Sequence, residues 1–267
     1  VFNAGSARDK ISGVAALTNG LLYTGAADLD ANGIAEALEN VGAQMSNASL
    51  RDMAVLSLRS LSDESRLAPA LDVFTKVLSD PTYPKADFAR EKKRLLLGIK
   101  SQQQQPAAVA KQDYFSALYG EHAYADMPSG TEESVARIQR IHLKHFHKAY
   151  YVANNAVIAM VGDLSKERAM QIAEQLSSAI PAGEAAPALE AVPVLTEAKR
   201  QDIQMQTQQS HIMIGQPGLK RGEEDYYDLY VGNHILGGSG FASQLMQSIR
   251  EDRGLAYSVY SYFSPMQ

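Results

Sequence analysis

The chain has 267 residues, 45% of them hydrophobic and 21% charged, an ordinary globular balance with enough apolar mass for a sizeable core. With 25 basic against 30 acidic residues the net charge is −5, so composition offers no basic stripe for nucleic acid. No apolar run approaches the roughly 20 residues that cross a bilayer as a helix, and the lack of cysteine excludes disulfides and thiolate zinc ligands.

Residues 1–4 read as a strand already under way, and the run ending Pro265-Met266-Gln267 stops at a strand edge. The chain is therefore read as a fragment, with any targeting peptide out of view. Ser12 is expected to cap a helix through Val14, Leu17, Leu21 and Leu22, closed by the turn Gly25-Ala26-Ala27-Asp28. Asp30 opens a second helix with Ile34, Leu38 and Val41 on one face, stopped at Gly42. Residues 53–61 alternate as a strand does and pair with residues 44–49. Asp63 starts an amphipathic helix carrying Leu67, Leu71, Phe74 and Leu78. After Pro81 and Pro84, residues 85–119 are helical with a break near Pro106. Thr131 begins a helix ending near Tyr151, residues 156–161 read as a buried strand, and residues 166–179 as a helix.

Three domain-level segments follow: a first α+β domain over residues 1–180, an Ala/Pro/Gly/Glu-rich linker over 181–197, and the beginning of a second domain over 198–267. The second is expected to hold a strand at 211–215, a helix from Glu223 to about Leu236, the loop Gly237-Gly238-Ser239-Gly240, a helix to Arg250 and a strand at 256–263. Its opening order repeats that of the first domain.

The most specific string is Gly237-Gly238-Ser239-Gly240-Phe241-Ala242-Ser243-Gln244-Leu245 followed by Ile249-Arg250-Glu251-Asp252-Arg253-Gly254-Leu255-Ala256-Tyr257-Ser258-Val259. It resembles the C-terminal signature of the pitrilysin/insulinase (M16) zinc peptidases, in which a Gly/Ser-rich loop leads to a helix ending Arg-Glu-x-x-Gly-Leu-Ala-Tyr. The resemblance covers essentially the whole chain and implies a duplicated α+β fold, an antiparallel-rich sheet flanked by helices, with the second copy truncated here. It also implies that Arg250 and Tyr257 bind substrate backbone and steady the tetrahedral intermediate, with weaker substrate contacts at Gly238 and Ser239. Charge that develops on a carbonyl oxygen under attack is stabilised by such donors placed where it forms. Read without the family, Arg250 pairs with Glu251 or Asp252 and Tyr257 is a half-buried strand aromatic.

The family's inverted zinc motif, H-x-x-E-H, maps onto Ala16, Asn19 and Gly20, none of which supplies a ligand or a general base. The region expected to carry the third ligand, Leu95-Leu96-Leu97-Gly98-Ile99, has no carboxylate. A zinc site needs at least three protein ligands, so no metal is expected on this chain. The resemblance thus implies the inactive half of a heterodimeric metallopeptidase, with zinc on a partner subunit that bears H-x-x-E-H, peptide as substrate, and a bacterial cell-envelope location. The alternative is a scaffold or peptide-binding subunit with no part in hydrolysis.

Other constellations are weaker. His142, His145 and His147 cluster, but on a helix only the first two share a face, and a solvated surface accounts for them. His122 and His211 stand alone, and His234 is expected to be partly buried on an apolar helix. The Gly237–Gly240 run lacks the Lys-Ser/Thr of a P-loop and the third glycine of a dinucleotide fingerprint, and no Gly-x-Ser-x-Gly elbow occurs.

Overall fold

The computed structural model describes every residue except Arg221 and Gln267, the latter being the last residue of the expected terminal strand edge. Packing divides the chain into two units, Val1–Ile214 and Gly215–Gln267.

In the first unit the elements in order are α1 (Val14–Gly20), β1 (Gly25–Ala26), β2 (Leu29–Asp30), α2 (Ala31–Glu39), β3 (Gln44–Ser49), β4 (Ala54–Arg59), α3 (Glu64–Ser79), α4 (Lys85–Gln103), α5 (Pro106–Tyr119), α6 (Glu132–Arg137), α7 (Arg140–Tyr150) and α8 (Lys166–Ser178). β3 and β4 pair antiparallel with Gln44 opposite Arg59 and Ser49 opposite Ala54. Phe2 exchanges both backbone hydrogen bonds with Ala54, at 2.8 and 2.9 Å, and bridges Ala156 on its other side. The sheet therefore runs β3, β4, residues 1–3, residues 155–157, antiparallel throughout. Leu17, Leu21, Ile34, Leu38, Val73, Val77, Leu143 and Tyr151 belong to the buried core that its helices share with it.

Local chemistry explains most boundaries. Asp30 caps α2 by accepting from the Gly33 N–H at 2.8 Å, and Asp63 caps α3 by accepting from the Ser65 N–H at 2.9 Å. Gly42, at φ 68°, ends the chain segment after α2 in a conformation that favours glycine. Thr131 and Ser134 form a reciprocal capping box at α6. The expected helix from Thr131 to Tyr151 is broken at Ile138, whose extended backbone drives its side chain into the core.

Two expectations in this unit are corrected. Ser12 does not cap α1. Asp9 does, accepting from the N–H groups of Gly13 and Ala15 at 2.9 and 2.8 Å, while the Ser12 hydroxyl donates to Asp126. Residues 156–161 do not form a buried strand: Val157, Ile158 and Val161 are exposed. Their ladder includes the Val157–Val1 pair, and among the described residues no strand lies alongside the rest of the segment. The segment after α8 has no regular structure, yet it lies against the first unit. The Ala153 and Asn154 N–H groups donate to Pro181 and Ala182, and the Ala186 N–H to Asn155.

The second unit holds α9 (Tyr226–Asn233), a π-helical turn His234–Gly238, a 3-10 turn Gly240–Ala242 and a π-helical segment Met246–Glu251. Neither the strand expected at 211–215 nor that at 256–263 forms among the described residues. The latter makes one backbone bond to the glycine loop, Ser261 N–H to Gly237 at 3.3 Å, and has no partner strand. α9 buries no residue, so His234 at its end is exposed rather than partly buried.

Burial pushes the Asp9 carboxyl up from 3.8 to about 7, outweighing the N–H donors of Ala15, Gly13 and Val14 that pull it down, and the charge of Asp126 adds to the rise. A carboxyl that holds its proton more tightly folded than unfolded contributes stability that is complete below about pH 4 and lost as pH climbs through about 7. Urea denaturation of the parent and of Asp9→Asn across pH 4–8 should therefore show the parent losing stability relative to the variant as pH rises. Parallel profiles would contradict the assignment.

Candidate functional site

α1 places Ala16, Asn19 and Gly20 beneath β3, and the side chains that stand there build a hydrogen-bond network instead of a metal cage. Asn19 is 1% exposed. Its Nδ2 donates to the Tyr151 hydroxyl at 3.2 Å and to the Val55 carbonyl at 3.5 Å. Asn47 Nδ2 donates to the Asn19 carbonyl at 2.6 Å and to its Oδ1 at 2.9 Å. The amide is thus engaged at both ends, and a carboxamide is not basic enough to take a proton from water. Ala16 brings a methyl group, and at Gly20 a Cβ would meet open space, so neither offers a donor atom. On α4, Leu95 and Leu96 pack against the core where a third ligand is expected. These residues do not fit zinc, and among the described residues no group of three His, Asp or Glu side chains lies close enough to hold a metal.

Tyr151 sits behind this network. Burial raises its phenol well above the usual range, and the Asn19 amide only partly opposes the shift. His147 stacks on Tyr151 at 4.8 Å between ring centroids and donates from Nε2 to the Leu78 carbonyl at 2.9 Å. Burial lowers its pKa against the opposing pull of that carbonyl and of Asp80, so it is a neutral packing residue. His142 Nδ1 accepts from the Gln139 N–H at 3.1 Å at the start of α7, and His145 is exposed. His122 bridges the Tyr124 N–H, at 3.1 Å, and the Glu190 carbonyl, at 3.0 Å.

Beside α1, a groove of about 970 Å³ runs between α2 and β3, lined by Tyr23, Ile34, Leu38, Met45, Asn47 and Arg59 among others. The Leu50 N–H donates to Met53, so the hydrogen-bonded pairs of this hairpin fall at 50, 48, 46 and 44. By antiparallel alternation the N–H and C=O groups of Met45, Asn47 and Ser49 point to the outer edge. No strand pairs with that edge among the described residues.

In the second unit the glycine loop and the Arg/Tyr string fold back on each other. A side chain at Gly237 would collide with Ser261, and Asn233 Nδ2 donates to the Ser261 carbonyl at 3.2 Å. Gly238 is exposed, and the Ser239 N–H returns to His234 at 3.0 Å. Ser243, fully buried, starts the next helical segment: its Oγ donates to Gly240 at 2.8 Å and accepts from the Met246 N–H at 3.4 Å. Gly254, at φ 61°, ends that segment in the left-handed region, its N–H and that of Leu255 returning to Arg250 and Ile249 at 2.9 and 3.0 Å. This glycine turn brings Tyr257 back beside Arg250. The Arg250 guanidinium lies 5.3 Å from the Tyr257 ring centroid and 4.9 Å from that of Phe241, and its Nε is 3.6 Å from Glu251. The pairing with Glu251 is the one expected of a surface arginine, whereas Tyr257 is 86% exposed and not half-buried in a strand.

The sequence pointed to Arg250, Tyr257 and Asn19 but not to three residues that touch Arg250 or Asn19 here. Phe241 stood inside the quoted motif without a role. Asn47 was legible as a polar residue on the inward face of β3, in step with Met45. Tyr151 carried no signal, because its meeting with Asn19 depends on how α7 packs on α1. Asn19→Ala would remove the donor to the Tyr151 hydroxyl and one of the two bonds from Asn47, whose bond to the residue 19 carbonyl remains, a loss of about 1–3 kcal/mol. Urea unfolding of parent and variant measures it, and equal midpoints would contradict the network's weight.

Comparison with known proteins agrees with this geometry. Residues 1–132 match the family model described as insulinase (peptidase family M16), and residues 137–267 match that of the peptidase M16 inactive domain. The uncharacterized zinc protease YmxG of Bacillus subtilis is 30% identical over 96% of this chain and 61% of its own length. An uncharacterized zinc protease of Streptomyces coelicolor is 27% identical over 91% of this chain and 54% of its own. A crystal structure of a peptidase M16 inactive domain from Pseudomonas fluorescens superposes with a TM-score of 0.90 at 40% identity, covering 99% of this chain and 64% of that one. A Helicobacter pylori protease shares the fold alone, with a TM-score of 0.83 at 18% identity over 100% of this chain and 65% of that one. The chain spans roughly 54–61% of the length of these two curated relatives. With its two matched regions together covering nearly every residue, the chain belongs to the M16, insulinase-type, family of peptidases.

Proposed function

We propose that this chain is the non-zinc-binding subunit of a heterodimeric M16 metallopeptidase, binding peptide and stabilising the tetrahedral intermediate in trans for a partner that carries H-x-x-E-H. The observation that carries this reading is the contrast between two sites. The Arg250 guanidinium lies against the exposed ring of Tyr257, whereas Asn19, which the resemblance places at a zinc-motif position, is held in a closed hydrogen-bond network. Attack on a peptide carbonyl builds negative charge on its oxygen, and a guanidinium with a phenolic O–H supplies the donors that charge requires. The exposed Gly238 and the neighbouring Ser239 are proposed to contact the peptide backbone beside that pair. Residues 198–267 are proposed as the opening of a second M16-type domain, after a first domain at 1–180 and the connecting stretch 181–197.

The free edge of β3 and its groove favour a second reading, in which the chain holds peptide by strand addition and takes no part in hydrolysis. Substitution separates the two. Arg250→Ala and Tyr257→Phe in the full-length chain should each leave assembly with the zinc-bearing partner intact by size-exclusion chromatography, while peptide turnover drops about 10²–10³-fold, the weight of one oxyanion donor. Undiminished turnover in both variants would remove these residues from the mechanism and leave the peptide-holding reading.

A further inference from the structure

The Arg250 guanidinium has three neighbours within reach: the ring of Phe241, the ring of Tyr257 and the carboxylate of Glu251. They act on it differently. Glu251 engages the Nε edge, one of the N–H donors that an oxyanion would need, and its own side chain is 52% exposed, so water screens the pair. A ring face attracts the cation through its quadrupole and uses no N–H at all. Phe241 is 72% exposed, so its ring adds little to a core, and its face lies against the Arg250 charge. The turn that presents it is fixed: Gly240 is at φ 62°, and buried Ser243 clamps the Gly240 carbonyl by its hydroxyl at 2.8 Å and by its N–H at 3.1 Å.

We propose that Phe241 is a positioning residue for Arg250, holding the guanidinium by its face so that its terminal N–H donors stay available while only the Nε edge faces Glu251. This rests on the reading of Arg250 as an oxyanion donor. It assigns a task to the aromatic that follows the glycine loop: a flexible arginine must be ordered before the transition state, and each torsion frozen in advance is entropy not lost at that moment.

Phe241→Leu keeps apolar bulk and removes the ring, while Phe241→Tyr keeps the ring. Two readouts apply to the full-length chain. The first is the Nε–H resonance of Arg250 in the ¹⁵N-labelled protein, expected to shift in Phe241→Leu and return towards the parent position in Phe241→Tyr. The second is turnover of a quenched-fluorescent peptide library by the chain mixed with its zinc-bearing M16 partner. There Phe241→Leu should lower kcat about two- to fivefold, the scale of one exposed cation–π contact, with KM and Tm held and Phe241→Tyr restoring the rate. An unmoved Arg250 resonance in Phe241→Leu, or a kcat loss that Phe241→Tyr does not rescue, overturns the proposal. Arg250→Ala tells the two ideas apart: if it leaves turnover unchanged, the reading of Arg250 itself fails. If it lowers turnover while Phe241→Leu is silent, only the positioning role of Phe241 fails.

Discussion

Asn19 joins α1 to the β3–β4 hairpin and to Tyr151, segments far apart in the chain. Through its Nδ2 it reaches Tyr151 beyond the end of α7 and Val55 on β4, and through its Oδ1 and backbone carbonyl it takes both bonds from Asn47 on β3. A buried polar group that lacked these partners would cost more than the bonds themselves return, so the network specifies how α1 seats under the sheet. An active M16 helix must present its polar side chains to a metal and to water. On the proposed correspondence of Ala16, Asn19 and Gly20 with the zinc positions, Asn19 stands where a general base would and serves packing instead.

The second unit obeys the opposite logic. α9 buries none of its residues, and Tyr227, Tyr230, Phe241, Leu255 and Tyr257 are all exposed. Its order comes from the loop itself: Gly237 close against Ser261, Ser243 capping the following segment, and Gly254 turning the chain so that two residues seven apart lie side by side. Those constraints leave the Arg250 guanidinium framed by aromatic faces instead of buried in an ion pair. The two ring faces use none of its N–H donors, and the exposed carboxylate of Glu251 lies 3.6 Å from Nε.

Much of the first unit was legible because its signals are local. Asp30, Asp63 and Thr131 announce helix starts by short-range capping, Pro106 breaks a helix, and the alternation at 53–61 marks a strand. The failures share a cause. Residues 156–161, 211–215 and 256–263 have strand-like composition, but a strand exists only when a neighbour accepts its hydrogen bonds, and composition does not reveal the neighbour. Ser12 lost the cap of α1 to Asp9, which sits outside the local window and reaches back over the turn. At the candidate site the motif made Arg250 and Tyr257 visible, whereas the contact of Phe241 with Arg250 depends on the distance across the loop and that of Tyr151 with Asn19 on tertiary packing.

In the proposed assembly this chain supplies substrate-stabilising groups and its partner supplies the metal chemistry. The most direct test is hydrolysis of a mixed peptide library by the full-length chain alone with zinc, by its H-x-x-E-H partner alone, and by the two together, each with and without chelator. The account predicts chelator-sensitive turnover in the mixture, well above either chain by itself. Chelator-sensitive turnover from this chain alone would contradict it, because Ala16, Asn19 and Gly20 would then have been misread.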